Sequence, residues 1–430
     1  MGKGSTIFKA ALALALLGAA PAPSAQELRF DLPGVEIGIA EYEDGPTGAT
    51  VFHFPKPVMV AVDVRGGSPG TINTDTLRLS YDEPYVDAIT FAGGSSYGLS
   101  VATGVAEALR DRREDPGALA NVATVAGAII FDLGPRRFTT RTPDGALGRQ
   151  ALAAAKPGIF PLGARGAGRF ATQGGYFDAR TYSGQGGAVR QIGPTKVAVF
   201  TVVNALGHVV DRDGRVVRCA GTKPNDCGSI QSRIGARLQK VAGEQGKGGN
   251  TTLTLVLTNQ KLPVWALQRL AVQVHMSMAR AIQPFATTND GDVLFAATTG
   301  EVDNPKLGVA DLGLLASEAA WDAVLSSVPK LDPEPQPGPA PTPQRLKSYV
   351  GTYELAPGMN MIVELENGRL WVRGPKRANL YLPPEGRAAL QPIGPADFRI
   401  EGTRGDRLRF TPSGLTINPG HWPIPARRLR

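Results

Sequence analysis

Apolar positions in the first third of the chain come in short runs separated by Gly and Pro. Residues 37–39, 50–54 and 58–64 are rich in β-branched and aromatic side chains, which predicts strands joined by turns. From residue 87 the pattern changes: 87–91 is an extended apolar run, Gly93 and Gly94 supply a turn, and Leu99, Ala102, Ala106 and Leu109 recur at helical spacing. Two strongly β-forming runs, 196–204 and 251–258, suit buried strands. The polar stretch 211–250 between them has few apolar residues, which predicts a mobile surface connection. Pro263 opens a helix whose Val264, Leu267, Ala271, Val274 and Met278 share one face, and Pro284 closes it. The loop 289–292 then leads into another apolar strand, 293–297.

The clearest boundary is the proline-rich run 332–343, which favours an extended, semi-rigid linker. Beyond it, short alternating runs at 349–355, 361–365, 370–372 and 398–400 predict a small antiparallel β domain. The chain thus divides into an N-terminal segment 1–25, a large domain 26–330, a linker 331–345 and a β domain 346–430. No repeat of fixed period points to a solenoid or propeller.

Composition adds to this picture only in places. With 42% apolar and 20% charged residues in 430, the make-up is that of a globular protein, too rich in core formers for a disordered one. Residues 1–25 run from Lys3 and Lys9 through the apolar stretch 10–17 to Ser24 and Ala25, the pattern of a signal peptide cut after Ala25. The apolar stretch falls short of the roughly 18 to 20 residues needed to span a bilayer. The expected product is therefore exported, periplasmic or secreted, with no membrane span in its mature form. Export favours a local disulfide between Cys219 and Cys227. Two free thiols are the alternative, and a zinc site lacks its usual C-x-x-C or paired-histidine companions. The net charge of +8 is spread over scattered basic residues, which reads as a solvated surface and not as a nucleic-acid site.

Three constellations compete for the chemistry. Gly94-Ser95-Ser96-Tyr97-Gly98 fits the G-x-S-x-G pattern between a strand and a helix, where Ser96 would attack with an Asp and one of His208, His275 or His421 completing a triad. Its bland alternative is a tight turn whose exposed amides bind an anion or a carbonyl oxygen. The second is Asn250-Thr251-Thr252, where a glycine-rich connection meets a buried-type strand. Read plainly it is a strand start or an N-x-T glycosylation sequon. Read chemically, the Thr251 hydroxyl attacks the Asn250 carbonyl and frees Thr251 as a new N-terminus. An α-amino group titrates at about 7.7 to 8.0, near enough to neutrality to act as base for its own hydroxyl, so no histidine is needed. The third is Asp290-Gly291-Asp292, an ordinary surface turn by default and too sparse in oxygen ligands for an EF-hand. No cofactor or metal is expected.

The order of several segments resembles the DmpA-type family of self-processing aminopeptidases, which takes in D-aminopeptidases, β-peptidyl aminopeptidases and nylon-oligomer endo-hydrolases. The matching residues are Pro33-Gly34-Val35, Ile37-Gly38, 63–70, 93–99, 102–105, 130–133, 203–207, 249–252 and 290–292. The resemblance implies an αββα sandwich of the DmpA and ornithine-acetyltransferase type. It also implies cleavage between Asn250 and Thr251 into two chains that stay together, a homo-oligomer, and an amide hydrolase acting on small peptides or amides. By the same resemblance Thr251 is the nucleophile, Asn204 donates to the oxyanion, and Asp290 and Asp292 orient the threonine, as in the nylon-oligomer branch. The loop Gly94, Ser95, Ser96, Tyr97 becomes a pocket wall. Two departures stand out. The family's lysine before Gly-Gly is replaced here by Tyr182 or Ser183, and Phe131 stands where some members carry a tyrosine. A serine hydrolase built on Ser96, a catalytically degenerate binding relative, and acyl transfer are the competing readings. The β domain after residue 343 lies outside the family core.

Overall fold

The computed structural model describes residues 26–429 apart from 44, 79–83, 116, 119–120, 134–140, 178–179, 220–226, 240–249, 329–339, 375–381, 383–385, 404–405 and 419–422. The expected signal peptide, most of the expected proline-rich linker and His421 lie outside the described residues.

Most of a ten-stranded mixed sheet is built from β1 (Glu36–Tyr42), β2 (Thr47–Val64), β3 (Tyr85–Ala92), β4 (Val125–Ile129), β5 (Gln185–Ile192), β6 (Thr195–Asn204), β7 (Thr251–Gln260) and β8 (Val293–Val302). The order is β5-β6-β7-β8-β2-β3-β4, with β1 on β2. The β7/β8 and β3/β4 pairs are parallel, whereas β5/β6, β6/β7, β8/β2 and β2/β3 are antiparallel. Four helices flank it: α1 (Ser100–Arg110), α2 (Gly145–Ala153), α3 (Val264–Ser277) and α4 (Val309–Ser326).

The strands are apolar on both faces because each face has its own core. Alternate residues of β6, β7 and β8, among them Phe200, Leu255 and Phe295, pack in one mainly strand-built core with Phe52, Phe91 and Phe160. The residues between them, such as Val199, Val256 and Leu294, pack on Leu267 and Leu270 of α3 and Ala320 of α4. Val51, Ala88 and Val125 instead meet α1 and α2 through Ala102, Val105 and Ala151. Burial on both sides is why these segments read as continuous apolar runs.

Three expectations are corrected. The runs 50–54 and 58–64 belong to one long strand, β2, in which Pro55, Lys56 and Pro57 are exposed and the register against β3 shifts between His53 and Val58. Proline lacks a ladder donor and is tolerated at such an irregularity. Within the polar stretch 211–250, the described residues 211–219 and 227–239 hold more order than the composition predicts. A helix spans Ile230–Gln239, Cys219 and Cys227 are disulfide-bonded, and Val210, Val216, Cys227 and Ile230 share a small core. The third correction concerns the end of the linker, since the antiparallel β domain expected after it is present, as a closed barrel of eight strands from Gly351–Ala356 to Ile424–Arg428. A helix at Pro343–Tyr349 precedes it and seats Tyr349 in the barrel core, so the end of the expected linker is helical.

Candidate active site

Strand register brings the candidate residues together. Thr251 opens β7 and Asn204 closes β6, and the antiparallel pairing sets them directly opposite one another. Such partners hold their Cβ atoms about 4.5 to 5.5 Å apart. Side chains alternate along a strand, so Asn204 and Thr251 lie on the face that carries Phe200, Val202, Leu253 and Leu255, at the edge of that core. A parallel bridge between Asn250 and Asp290 extends the β7/β8 pairing one step further and delivers the Asp290–Asp292 loop to the same place. Asn204, Asn250, Thr251, Asp290 and Asp292 are all buried. The surface-turn reading of the acidic loop therefore does not hold.

Two donors converge on the carbonyl oxygen of Asn250. The Thr251 hydroxyl donates to it at 2.5 Å and the Gly291 amide at 2.7 Å. Both withdraw electron density from the peptide bond that precedes Thr251, and the hydroxyl stands beside the carbonyl it would attack. Room for this arrangement depends on missing side chains. A Cβ on Gly291 would lie 2.6 Å from the Thr251 hydroxyl and 2.8 Å from the Ser68 carbonyl, and one on Gly66 would lie 2.2 Å from the Asp292 amide. Arg65 and Gly66 donate backbone N–H groups to the Asp292 carbonyl, Gly67 to Thr287 and Ser68 to Asp290, so the 65–68 segment clamps the loop.

The two aspartates are held by amides. Asp292 accepts from Thr252 N at 2.5 Å and Ala286 N at 3.0 Å, while Asp290 accepts from Leu206 N, Thr287 N and the Thr287 hydroxyl. Among the described residues neither has a Lys or Arg partner. Burial, joined by the repulsion of Asp290, pushes Asp292 up to about 8, and burial raises Asp290 as well. The pair thus retains a proton at neutral pH.

Asn204 is fixed at both ends. Its Oδ1 accepts from Thr172 N at 3.0 Å and its Nδ2 donates to the Phe131 carbonyl at 3.0 Å. A primary amide carries two N–H groups, which leaves a second donor on Nδ2. Phe131 thus contributes a backbone oxygen to the wall. The glycine loop joins the same wall: Ser95 N donates to the Ile130 carbonyl and Gly94 N to the buried Asp132 at 2.7 Å, with Thr47 donating to that carboxylate at 2.5 Å. Gly94 has φ 82° and Ser95 φ 56°, the left-handed turn that the paired glycines anticipate.

Ser96 and Tyr97 are exposed on a 3₁₀ turn. Among the described residues no histidine hydrogen-bonds to Ser96. His208 meets Gln173 and His275 meets Asp63, both buried, and burial holds both rings below the usual imidazole range. The expected place of Tyr182 in the pocket is corrected too. Its ring packs on the C-terminal barrel and its hydroxyl accepts from Asn418 at 3.3 Å. Ser183 is the inward residue, and its hydroxyl donates to the Val203 carbonyl at 2.6 Å.

Sequence reasoning gave no role to the Gly291 amide, the Thr172 amide, Asp132 or the 65–68 clamp. The adjacent Gly66-Gly67 pair and an Asp inside the apolar run 130–133 were the available signals.

The profile of peptidase family S58 matches residues 30–330. A 6-aminohexanoate-oligomer endohydrolase of Paenarthrobacter ureafaciens is 42% identical over 321 residues, covering 70% of this chain and 85% of that protein. An uncharacterized aminopeptidase of Mycobacterium tuberculosis is 34% identical over 309 residues, covering 66% of this chain and 86% of the other. Among solved structures, a beta-aminopeptidase of Burkholderia sp. superposes with a TM-score of 0.51 at 18% identity over 72% of this chain and 88% of that one. A protein of Pyrococcus horikoshii OT3 does so with a TM-score of 0.53 at 17% identity over 69% and 84%. At these identities the two structures speak for the fold, and the sequence matches speak for the family. The chain belongs to peptidase family S58 and is an enzyme that hydrolyses amide bonds.

Proposed function

We propose that the chain cleaves itself between Asn250 and Thr251 and then hydrolyses amides with Thr251 as an N-terminal nucleophile. The observation that carries this reading is the convergence of the Thr251 hydroxyl and the Gly291 amide on the Asn250 carbonyl. In the first step Thr251 Oγ1 bonds to the carbonyl carbon while the Gly291 amide holds the developing oxyanion. The C–N bond to Thr251 breaks and the hydroxyl proton passes to the leaving nitrogen, which leaves an ester. Water then splits the ester, giving the Asn250 carboxylate and a free Thr251 hydroxyl and amine. The new chains stay interlocked, because β7 lies between β6 of the first product and β8 of its own.

In turnover the α-amine accepts the proton of the Thr251 hydroxyl as it attacks the substrate carbonyl. The second N–H of Asn204 Nδ2 donates to the oxyanion, and losing such a donor costs about 3 kcal/mol. The proton then goes to the departing amine, and water releases the acyl group. Asp290 and Asp292 orient Thr251 and balance the charge of its ammonium. We read the core layers as an αββα sandwich. The Asp-Gly-Asp loop and the 42% identity to a 6-aminohexanoate-oligomer endohydrolase favour short ω- or β-amino acid amides as the substrate class. We also read the protein as exported, where a Cys219–Cys227 disulfide persists.

The test compares Thr251→Ala with Ser96→Ala on a panel of a linear 6-aminohexanoate trimer, a β-alanyl anilide, and L- and D-alanyl anilides. Thr251→Ala should remain one chain and turn nothing over, while Ser96→Ala should mature and keep its activity. An active Thr251→Ala protein rejects the reading.

A further inference from the structure

The C-terminal barrel is seated on the wall that holds Asn204. Phe170, which precedes the barrel by far in sequence, is buried within the barrel's own core cluster alongside residues such as Tyr353, Phe398 and Phe410. Its neighbour Arg169, also buried, donates to the Pro423 carbonyl at 2.7 Å and pairs with Glu43 at 2.9 Å. Tyr182 packs on the same cluster and accepts from Asn418, which is itself tied to Asp406 at 2.7 Å.

These anchors are one step from the catalytic wall. Tyr182 is the direct antiparallel partner of Thr172, and Thr172 donates its amide to Asn204 Oδ1. Ser183, next to Tyr182, donates its amide to the Ala171 carbonyl and its hydroxyl to Val203, the residue before Asn204. Phe170 and Tyr182 are therefore separated from the amide that aims Asn204 by two residues or fewer of hydrogen-bonded backbone.

We propose that the barrel is a positioning domain for the active site: by gripping Phe170 and Tyr182 it fixes the Thr172 amide and so the orientation of Asn204. The inference rests on Asn204 being the oxyanion donor. Phe170, Tyr182 and Asn418 are positioning residues, since none touches the reacting atoms. A donor held by two hydrogen bonds keeps its direction only while both partners stay in place. The barrel secures one of those partners.

The experiment uses the full chain and the amide from the panel above that the unsubstituted protein turns over best. Phe170→Ala removes the side chain from the barrel core, Tyr182→Ala removes the ring from the contact without opening that core, and Phe170→Leu is the conservative rescue. Each is measured alone and in an Asn204→Ala background, with thermal unfolding alongside. A misplacement of about 1 Å lowers turnover on the order of 100-fold. Phe170→Ala and Tyr182→Ala are therefore expected to lower kcat by about 10- to 100-fold with KM nearly unchanged. Phe170→Leu should recover most of kcat, and in the Asn204→Ala background neither alanine should cost anything further, the non-additivity expected of residues acting through one group. If Tyr182→Ala keeps full kcat while Asn204→Ala is impaired, or if the losses multiply, the coupling is rejected. If Asn204→Ala itself keeps full kcat, the oxyanion assignment fails and the coupling falls with it.

Discussion

Replacing Gly291 with Ala probes the proposed self-cleavage geometry where it meets the Thr251 hydroxyl. The new methyl carbon would stand 2.6 Å from the Thr251 hydroxyl and 2.8 Å from the Ser68 carbonyl, where ordinary contact begins at 3.4 Å. The Ser68 side is backbone, clamped by its amide on the Asp290 carbonyl at 2.8 Å, so it yields little. The hydroxyl must retreat by up to about 0.8 Å, close to the 1 Å misplacement that costs on the order of 100-fold in rate. The Gly291 amide also shifts on the Asn250 carbonyl, which weakens its support for the developing charge. Freshly expressed Gly291→Ala protein should remain largely uncut on a denaturing gel over the time in which the unsubstituted chain is fully split. Circular dichroism should show the same secondary structure. Splitting at the unsubstituted rate would refute the reasoning, because it would mean that neither the amide nor the hydroxyl position matters to the cut.

Three further outcomes follow from the same geometry. In an uncut Thr251→Ala protein, the folded chain keeps a proton on Asp292 that the unfolded chain, with its carboxyl near 3.8, gives up. Stability should therefore fall as pH rises from about 4 to about 8, and adding Asp292→Asn should flatten that slope in urea titrations across the range; equal slopes would contradict the shared buried proton. Asp132→Ala leaves the Gly94 amide and the Thr47 hydroxyl without their buried acceptor and should cost about 1 to 3 kcal/mol by denaturant unfolding. Cys219→Ser should cost about 2 to 3 kcal/mol from the small loop it closes, with turnover per folded molecule little changed.

The sequence made the strands of the central sheet legible because both of their faces are buried, and runs such as 196–204 and 251–258 are apolar throughout. Asn250-Thr251 stood out because it lies where a polar connection meets such a strand, but the residues alone left a strand start and a glycosylation sequon open, and the proposed role of Thr251 came from the family resemblance. What stayed hidden depends on long-range register. Nothing local says that Asn204 lies opposite Thr251, or that Asp290 bridges to Asn250. The Gly291 amide has no side chain to mark it. Tyr182 was expected in the pocket because it stands at the family's lysine position, and the barrel that takes its ring lies more than 160 residues further on. In the stretch 211–250 composition misled for the described residues, whose order comes from a disulfide and a small satellite core.

The most direct test of the central claim is N-terminal sequencing with intact mass on active protein. Two chains are expected, one of them beginning at Thr251 and ending at the C-terminus, present in equal amounts and eluting together. Active protein made of a single chain, with the Asn250–Thr251 bond whole, would contradict the account.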